Sequence, residues 1–219
     1  MEGPTQRDRQ DLEGGVPQPV LKILFRLATW RNILILWGVL LLYNLFVLGP
    51  AYARIEAISG GVRALDFLIV YRPEKAYEMV AAYGQLVRRY YATIALILDT
   101  VFPLLSAAAF VLTLTRVFPR AFTREGVLHR ALFVPVGAMV ADLLENAGIV
   151  TMLLVYPRDL RGVALLTSSL STVKWTAVAA ETVLVIIGVA AWAVRAVRGR
   201  IEDAPSDQNQ RGLPGSRDT

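Results

Sequence analysis

The chain contains no cysteine and only one histidine, His129, among its 219 residues. Without cysteine there is no disulfide framework, no thiolate zinc site and no thiol nucleophile. With a single histidine the H-x-x-x-H spacing of zinc hydrolases is also missing, so a zinc site is not expected and no residue is assigned as a metal ligand. Gly-rich phosphate loops and the G-x-S-x-G nucleophile motif are absent as well. The motifs therefore predict neither a reaction nor a cofactor, and the cofactor remains unknown.

Charge is also scarce, because only 19% of the residues are charged whereas 55% are hydrophobic. The apolar residues cluster in long runs, which is typical of membrane proteins. The formal net charge is +5, but the arginines flank the apolar runs and are not interleaved with aromatic residues on one face. The basicity therefore indicates membrane topology, and nucleic acid is not an expected partner.

Each of the four apolar runs approaches or exceeds the about 20 residues that a helix needs to cross a bilayer core. The runs cover residues 33–53, 92–117, 131–156 and 173–194. Within lipid a helix satisfies its backbone hydrogen bonds inside one segment. The sequence therefore predicts an all-α fold: a four-helix transmembrane bundle that forms a single transmembrane domain over residues 21–200.

The first run has an alternative interpretation as a secretory signal, because "AYA" at 51–53 resembles a signal-peptidase site. The 32 residues that precede it and the length of the apolar run favour a retained helix instead. Residues 1–20 and 202–219 are rich in small and polar residues and are predicted to be disordered cytoplasmic tails.

Basic residues concentrate before the first run, between the second and third, and after the fourth. These three regions hold 14 of the 23 lysines and arginines. The positive-inside tendency then predicts that both termini are cytoplasmic and that the first and third loops lie outside.

The first loop contains its own amphipathic pattern, in "RPEKAYEMVAAYGQLVRRYY" at 72–91. Pro73 suits the first turn of a helix, and apolar residues recur at steps of three or four. We expect an outer amphipathic helix that runs into the second transmembrane helix. It would serve as a lid over a ligand site or lie in the headgroup layer with its tyrosines as anchors.

Polar side chains interrupt the third run, in "MVADLLENAGIV" at 139–150. Asp142, Glu145 and Asn146 have the i, i+3, i+4 spacing that places them on one helix face. Counting about 1.5 Å per residue from the outer end puts them in the middle of the bilayer.

The other runs supply polar partners at similar depth. Lipid exposure of such groups would cost about 2.5–3.5 kcal/mol each, so they are expected to face one another. The candidate ligand-binding or acid/base residues are Asp142, Glu145, Asn146, Asp99, Glu181, Lys174 and Asn44. On the fourth run, Lys174 and Glu181 continue a polar stripe that begins with Thr167 and Ser171.

A structural interpretation competes with each functional one. Asp99 and Lys174 can serve as interfacial anchors, and Asn44 can hydrogen-bond between helices. The acids of the third run can form a buried ion-pair network without binding anything. If the site is dry, at least one of Asp142, Glu145 and Glu181 should hold a proton unless a cation lies there. Proton relay, cation binding and recognition of a cationic ligand group all remain open.

Several short motifs together resemble a group of bacterial four-helix membrane proteins of uncharacterised activity. They are "PEKAY", Asp99 with Pro103, "ADLLEN" at 141–146, "YP" at 156–157, and a lysine that opens the last run. The D-L-L-E-N element is the most specific. The resemblance spans about residues 20–195 and implies a multi-pass protein of the bacterial inner membrane, with no catalytic roles.

Three classes of function fit these patterns. The first is an acidic pocket, open to the outer face, that binds or acts on a lipid or amphipathic small molecule. The second is a proton- or cation-coupled carrier that works as a homo-oligomer, and the third is a structural or assembly subunit. The lipid bilayer is the partner common to all three.

Overall fold

The computed structural model describes residues 16–122 and 125–202. Within these ranges the chain forms six α-helices and no strand, which confirms the all-α prediction. The helices are α1 (Gln18–Leu27), α2 (Trp30–Ile58), α3 (Pro73–Ala82), α4 (Gly84–Ala121), α5 (Glu125–Val155) and α6 (Arg161–Glu202). A short 3-10 segment, Leu65–Phe67, lies between α2 and α3.

Helices α2, α4, α5 and α6 are each long and apolar enough to cross a membrane, which is consistent with a membrane protein. The predicted runs coincide with these helices but are shorter. The last helix, for example, begins at Arg161, before the predicted start at residue 173, and α5 ends at Val155, one residue before the predicted end. Hydropathy marks only the apolar part of a helix, whereas its ends depend on backbone hydrogen bonds and caps.

Local signals define both ends of α2. The Thr29 side chain accepts a hydrogen bond from the Asn32 N–H at 3.2 Å and caps the N-terminus. At the other end Gly60 and Gly61 have φ values of 74° and 96°. Glycine adopts this left-handed conformation without steric cost, so the "SGG" sequence ends the helix.

Helix α3 begins at Pro73, as predicted, and packs its buried face of Ala76, Met79 and Val80 into an apolar cluster that also contains Tyr91 and Ile149. It does not run into α4, however. Gly84 has φ +68° and separates the two helices, which corrects the expectation of one continuous helix.

Two polar contacts fasten α3 to the segment between α5 and α6. The hydroxyl of Tyr77 accepts a hydrogen bond from the Leu160 N–H at 2.7 Å. Glu74 lies 3.1 Å from Arg161 in an exposed ion pair. One face of the amphipathic helix is therefore packed on the bundle.

Helix α1 covers the opposite end of the bundle. Its Leu21 belongs to an apolar cluster with Leu114, Phe118 and Leu128. Just before the helix, the Val16 N–H donates to His129 Nδ1 at 2.9 Å, so the single histidine has a partner in the chain. Of the tails predicted to be disordered, residues 18–20 belong to α1 and residue 202 ends α6, whereas residues 1–15 and 203–219 lie outside the described ranges.

Helices α2 and α4 each contain one π-helical turn, at Asn44–Leu48 and Ile94–Leu98. A proline follows each turn, Pro50 in α2 and Pro103 in α4, and proline offers no backbone N–H. The carbonyl of Leu98 accepts a hydrogen bond from the Tyr43 hydroxyl at 2.7 Å. This bond joins the π turn of α4 to α2.

Candidate functional site

An ion pair between α5 and α6 occupies the centre of the bundle. Lys174 Nζ lies 2.5 Å from Glu145 Oε2 and 3.5 Å from Asp142 Oδ1. The acids are three residues apart on α5, so one helix face directs both toward the same ammonium group. The side chains of Lys174 and Glu145 are only 8% and 0% exposed. The structure thus brings together three of the predicted residues.

A cavity of about 380 Å³ lies beside this ion pair. Helices α2, α4, α5 and α6 and the 3-10 segment all contribute to its wall. Its polar or charged lining residues include Asn44, Tyr52, Asp66, Asp99, Asp142 and Lys174, and its other lining residues are Trp37, Leu40, Leu48, Gly49, Phe67, Phe102, Ser106, Phe110, Trp175 and Val178.

The lining residues differ in their access to the surface. Asp66 and Asp99 are buried at 6% exposure each. Asn44 is exposed, and Phe67 and Trp175 are 45% and 37% exposed. The exposed members belong to α2, the 3-10 segment and α6, whereas the buried acids lie further inside.

Asp66 is the main member of the site that the sequence did not single out. The Tyr91 hydroxyl donates to Asp66 Oδ2 at 3.0 Å and accepts from the Leu65 and Asp66 N–H groups at 2.9 and 3.4 Å. Burial raises the pKa of Asp66 to about 8, and the nearby Asp99 adds to this rise. In the sequence, Asp66 could have been recognised as a candidate because it is the one acid within the apolar stretch "ALDFLIVY".

The hydroxyl groups of α6 hold the loop that carries Asp66. Ser171 Oγ donates to the Leu68 carbonyl at 2.5 Å, and Thr172 Oγ1 donates to the Ile69 carbonyl at 2.9 Å. Ser168 Oγ accepts a hydrogen bond from the Tyr71 N–H at 2.9 Å. Ser171, which belongs to the polar stripe predicted on the fourth run, therefore positions the loop that carries Asp66 and does not line the cavity.

The other predicted residues divide into two groups. Asn44 and Asp99 line the cavity with Asp142 and Lys174, whereas Glu145 contacts Lys174 without itself lining the cavity. Asn146 and Glu181 are buried at 3% and 2% exposure but are not part of the lining. Within the described ranges, neither the Asn146 amide group nor Glu181 Oε2 makes a hydrogen bond.

Three polar atoms of the lining residues are buried and make no hydrogen bond to any described residue: Tyr52 Oη, Asp66 Oδ1 and Asp142 Oδ1, the last of which has only the ion-pair contact of 3.5 Å to Lys174 Nζ. Buried polar atoms normally have partners, so each such atom calls for a specific explanation. No group of three His, Cys, Asp or Glu side chains among residues 16–122 and 125–202 could hold a metal ion. The unsatisfied atoms therefore offer hydrogen-bonding capacity without a metal-ligand arrangement.

No protein-family model, curated protein or solved structure matches the chain.

Proposed function

We propose that the protein is a multi-pass membrane protein that binds a lipid or another amphipathic small molecule in the cavity between its helices. The observation that carries the proposal is the presence, in one cavity, of buried polar atoms without partners and a wall of apolar side chains. Ligand pockets are typically apolar with a few polar groups that fix the ligand's orientation.

The arrangement of the lining favours an amphiphile over a wholly polar ligand. Asp66, Asp99 and Asp142 line the same cavity as the apolar side chains of Leu40 and Phe110. A polar head group would satisfy the unpartnered atoms, and its chain would lie against the apolar residues. The chain would then bury surface at about 25 cal/mol per Å².

The exposed lining residues support entry of the ligand through the side of the helix bundle. Asn44 on α2 and Trp175 on α6 both reach the surface as well as the cavity. An amphiphile would enter between these two helices directly from the bilayer. By the positive-inside tendency, this gap belongs to the outer leaflet of a membrane whose inner side holds both termini. The resemblance noted above would make it the bacterial inner membrane.

The two other classes of function differ from this one in measurable ways. A carrier needs an aqueous path from the cavity to the inner side, and with four spanning helices it would require a homo-oligomer. A structural subunit needs no ligand, so its cavity would remain inaccessible to added molecules. The three classes of function can therefore be distinguished by whether added reagents reach the cavity, and from which side, and by whether a ligand protects the cavity from them.

Cysteine labelling tests the proposal, since the natural chain has no cysteine. Val178→Cys places a thiol on the cavity wall, and Ile149→Cys places one in the apolar core, where the side chain is fully buried. We expect a small maleimide to modify Val178→Cys, and a saturating alkyl-chain amphiphile to slow this reaction. Ile149→Cys should remain unmodified until the protein unfolds.

Two outcomes would contradict the proposal. If Val178→Cys is as unreactive as Ile149→Cys, the cavity is closed and the structural class is favoured. If labelling is fast but no amphiphile slows it, the cavity is accessible without binding such molecules. Equal labelling from both sides of sealed vesicles would favour the carrier.

A further inference from the structure

We propose that the head group bound in this cavity is a cation, namely an amine or quaternary ammonium carried by a single-chain or lipid amphiphile. This inference rests on the proposed function and specifies the chemical class of its ligand. It depends on three features of the lining: its charge, its free acceptor atoms and its aromatic rings.

The charge of the lining is unbalanced. Asp66, Asp99 and Asp142 all line the cavity, whereas Lys174 is the one cationic side chain in the lining. Lys174 lies closest to Glu145, at 2.5 Å, and this acid is outside the lining. The Lys174 charge is thus balanced by Glu145, which leaves Asp99 and Asp142 as the acids of the lining. Asp66, whose pKa is raised to about 8, adds a further negative charge when a cation bound nearby favours its ionised form. A cationic ligand would offset this excess, and an anionic one would add to it.

The buried oxygen atoms of the lining that make no hydrogen bond can act as acceptors for an ammonium group. Asp66 is 94% buried, at 6% exposure, and its Oδ1 has no partner among the described residues. Tyr52 Oη is in the same condition, whereas Asp142 Oδ1 makes no hydrogen bond but lies 3.5 Å from Lys174 Nζ. An ammonium group carries hydrogen-bond donors and no acceptor, so it complements Tyr52 Oη and the ionised form of Asp66, which its own charge would favour.

Aromatic rings complete the environment of the head group. Tyr52, Phe67 and Trp175 belong to the lining. Two of these rings already face cations of the protein: Arg63 lies 5.5 Å from the Phe67 centroid, and Lys174 lies 5.5 Å from that of Trp175. Aromatic faces attract quaternary ammonium groups, which make no hydrogen bonds, so the site suits both kinds of amine.

The cavity volume limits how much of the ligand is enclosed. About 380 Å³ lies near the lower end of the range of about 300–1,000 Å³ seen for ligand pockets. The head group and the first part of one chain would fill this space. The rest of the chain would extend through the gap between α2 and α6 into the bilayer.

A matched series of amphiphiles tests the head-group class. The purified Val178→Cys protein in a neutral maltoside detergent is labelled in the presence of dodecylamine, dodecyltrimethylammonium, dodecanol or dodecanoate. We expect each of the two cations to protect the thiol at a concentration at least about ten-fold lower than dodecanol, which corresponds to about 1.4 kcal/mol. Dodecanoate should protect least.

Second substitutions in the Val178→Cys protein then distinguish a preference for cationic head groups from amphiphile binding in general. Asp99→Asn should reduce the advantage of the cations over dodecanol and leave dodecanol unchanged. Ser106→Phe fills part of the cavity and should weaken protection by all four compounds. Glu56→Gln removes an exposed acid outside the lining and should preserve the order of the series.

The outcomes are distinguishable. Equal protection by the cations and dodecanol, or better protection by dodecanoate, overturns the cationic class while the binding function stands. Absence of protection by every compound overturns both. The order of the four compounds decides the question even if Asp99→Asn does not fold, because it is measured without that substitution.

Discussion

Lys174 and Glu145 form the most enclosed ion pair in the described part of the chain, with 2.5 Å between Nζ and Oε2 and a glutamate side chain that is 0% exposed. The pair connects α5 to α6 next to the cavity. Taking two charges out of water is costly, and only their mutual attraction offsets this cost. Each partner therefore depends on the other.

Glu145→Ala or Lys174→Ala should destabilise the protein by about 3–5 kcal/mol, because a buried charge loses its partner. Lys174→Ala should be the more damaging, since it leaves both Glu145 and Asp142 without the ammonium. Thermal or denaturant unfolding in detergent measures the loss.

The exposed pair Lys75 and Glu78 provides a matched control, with 3.1 Å between the charged atoms and side chains that are 54% and 70% exposed. Glu78→Ala should cost less than about 1 kcal/mol. The double variant Lys174→Met/Glu145→Gln should recover part of the stability lost in Lys174→Ala. Equal stability of Glu145→Ala and Glu78→Ala would mean that water reaches the buried pair.

Gly148→Ala should weaken the packing of α5 against α6. A Cβ atom at residue 148 would lie 2.0 Å from Thr167 Oγ1, so the Thr167 side chain or one of the two helices must shift. Overpacking of this kind costs about 1–3 kcal/mol. The measurement is the change in unfolding temperature in detergent.

Gly137→Ala is the control, because a Cβ there meets no atom within 4 Å. It should be neutral or slightly stabilising, since alanine favours a helix by about 1 kcal/mol over glycine. Gly148→Ala/Thr167→Ala should restore part of the loss. A Gly148→Ala protein as stable as the Gly137→Ala protein would show that α5 and α6 are further apart than in this structure.

Tyr91→Phe should release the loop that carries Asp66. The substitution removes one hydroxyl that donates to Asp66 Oδ2 and accepts from two backbone N–H groups. Leaving buried polar groups without partners costs about 1–3 kcal/mol each. Tyr90→Phe is the control, because the Tyr90 hydroxyl bonds to none of the described residues and its ring can remain beneath Arg54.

Faster amide hydrogen exchange at residues 62–71 in Tyr91→Phe than in Tyr90→Phe would show the release of the loop. Unchanged exchange in both variants would mean that the α6 hydroxyl groups alone hold the loop in place.

The protein should become less stable as pH rises through the neutral range. The pKa of Asp66 is raised from 3.8 to about 8, so the folded state holds a proton that the unfolded state has lost. Stability from this group is complete below about pH 4 and declines until about pH 8. The charged or titratable groups that influence Asp66 come from every spanning helix: Tyr52, Tyr91, Asp99, Glu145 and Lys174.

Unfolding temperatures between about pH 5 and pH 8.5 measure this dependence. Asp66→Asn should flatten the decline, and Glu56→Gln, which removes an exposed acid, should not. An identical slope in Asp66→Asn and in the natural protein would assign the pH dependence to other groups.

Hydrophobicity alone was sufficient to predict the spanning helices, because a bilayer imposes both their length and their apolar character. The spacing of Asp142 and Glu145 likewise predicted a shared face, since it depends only on helix geometry. Their pairing with Lys174 followed from the cost of isolated charges in lipid, and the distances of 3.5 and 2.5 Å agree with it.

Asp66 and Tyr91 were not predicted because their contact depends on the path of a loop. Sequence patterns describe periodic segments, whereas the 3-10 segment returns into the bundle and places Asp66 against Tyr91, 25 residues further along the chain. Spacing also grouped Glu181 with Lys174 on one face of the last helix. Of these two residues, only Lys174 lines the cavity. Tertiary neighbours, and not spacing alone, decide which polar residues meet.

The π turns change the angular relation between the two halves of α2 and α4. In an uninterrupted α-helix, residues eight positions apart differ by about 80° around the axis, and one extra residue in a turn reduces this to about 20°. Leu40 and Leu48 in α2 have this separation, as do Tyr91 and Asp99 in α4, and all four are buried. A helical wheel drawn straight through either turn would assign the residues on one side of the turn to the wrong face of the helix. Deleting one residue from Ile94–Leu98 would therefore rotate Asp99 relative to Tyr91 while leaving the composition of the span nearly unchanged.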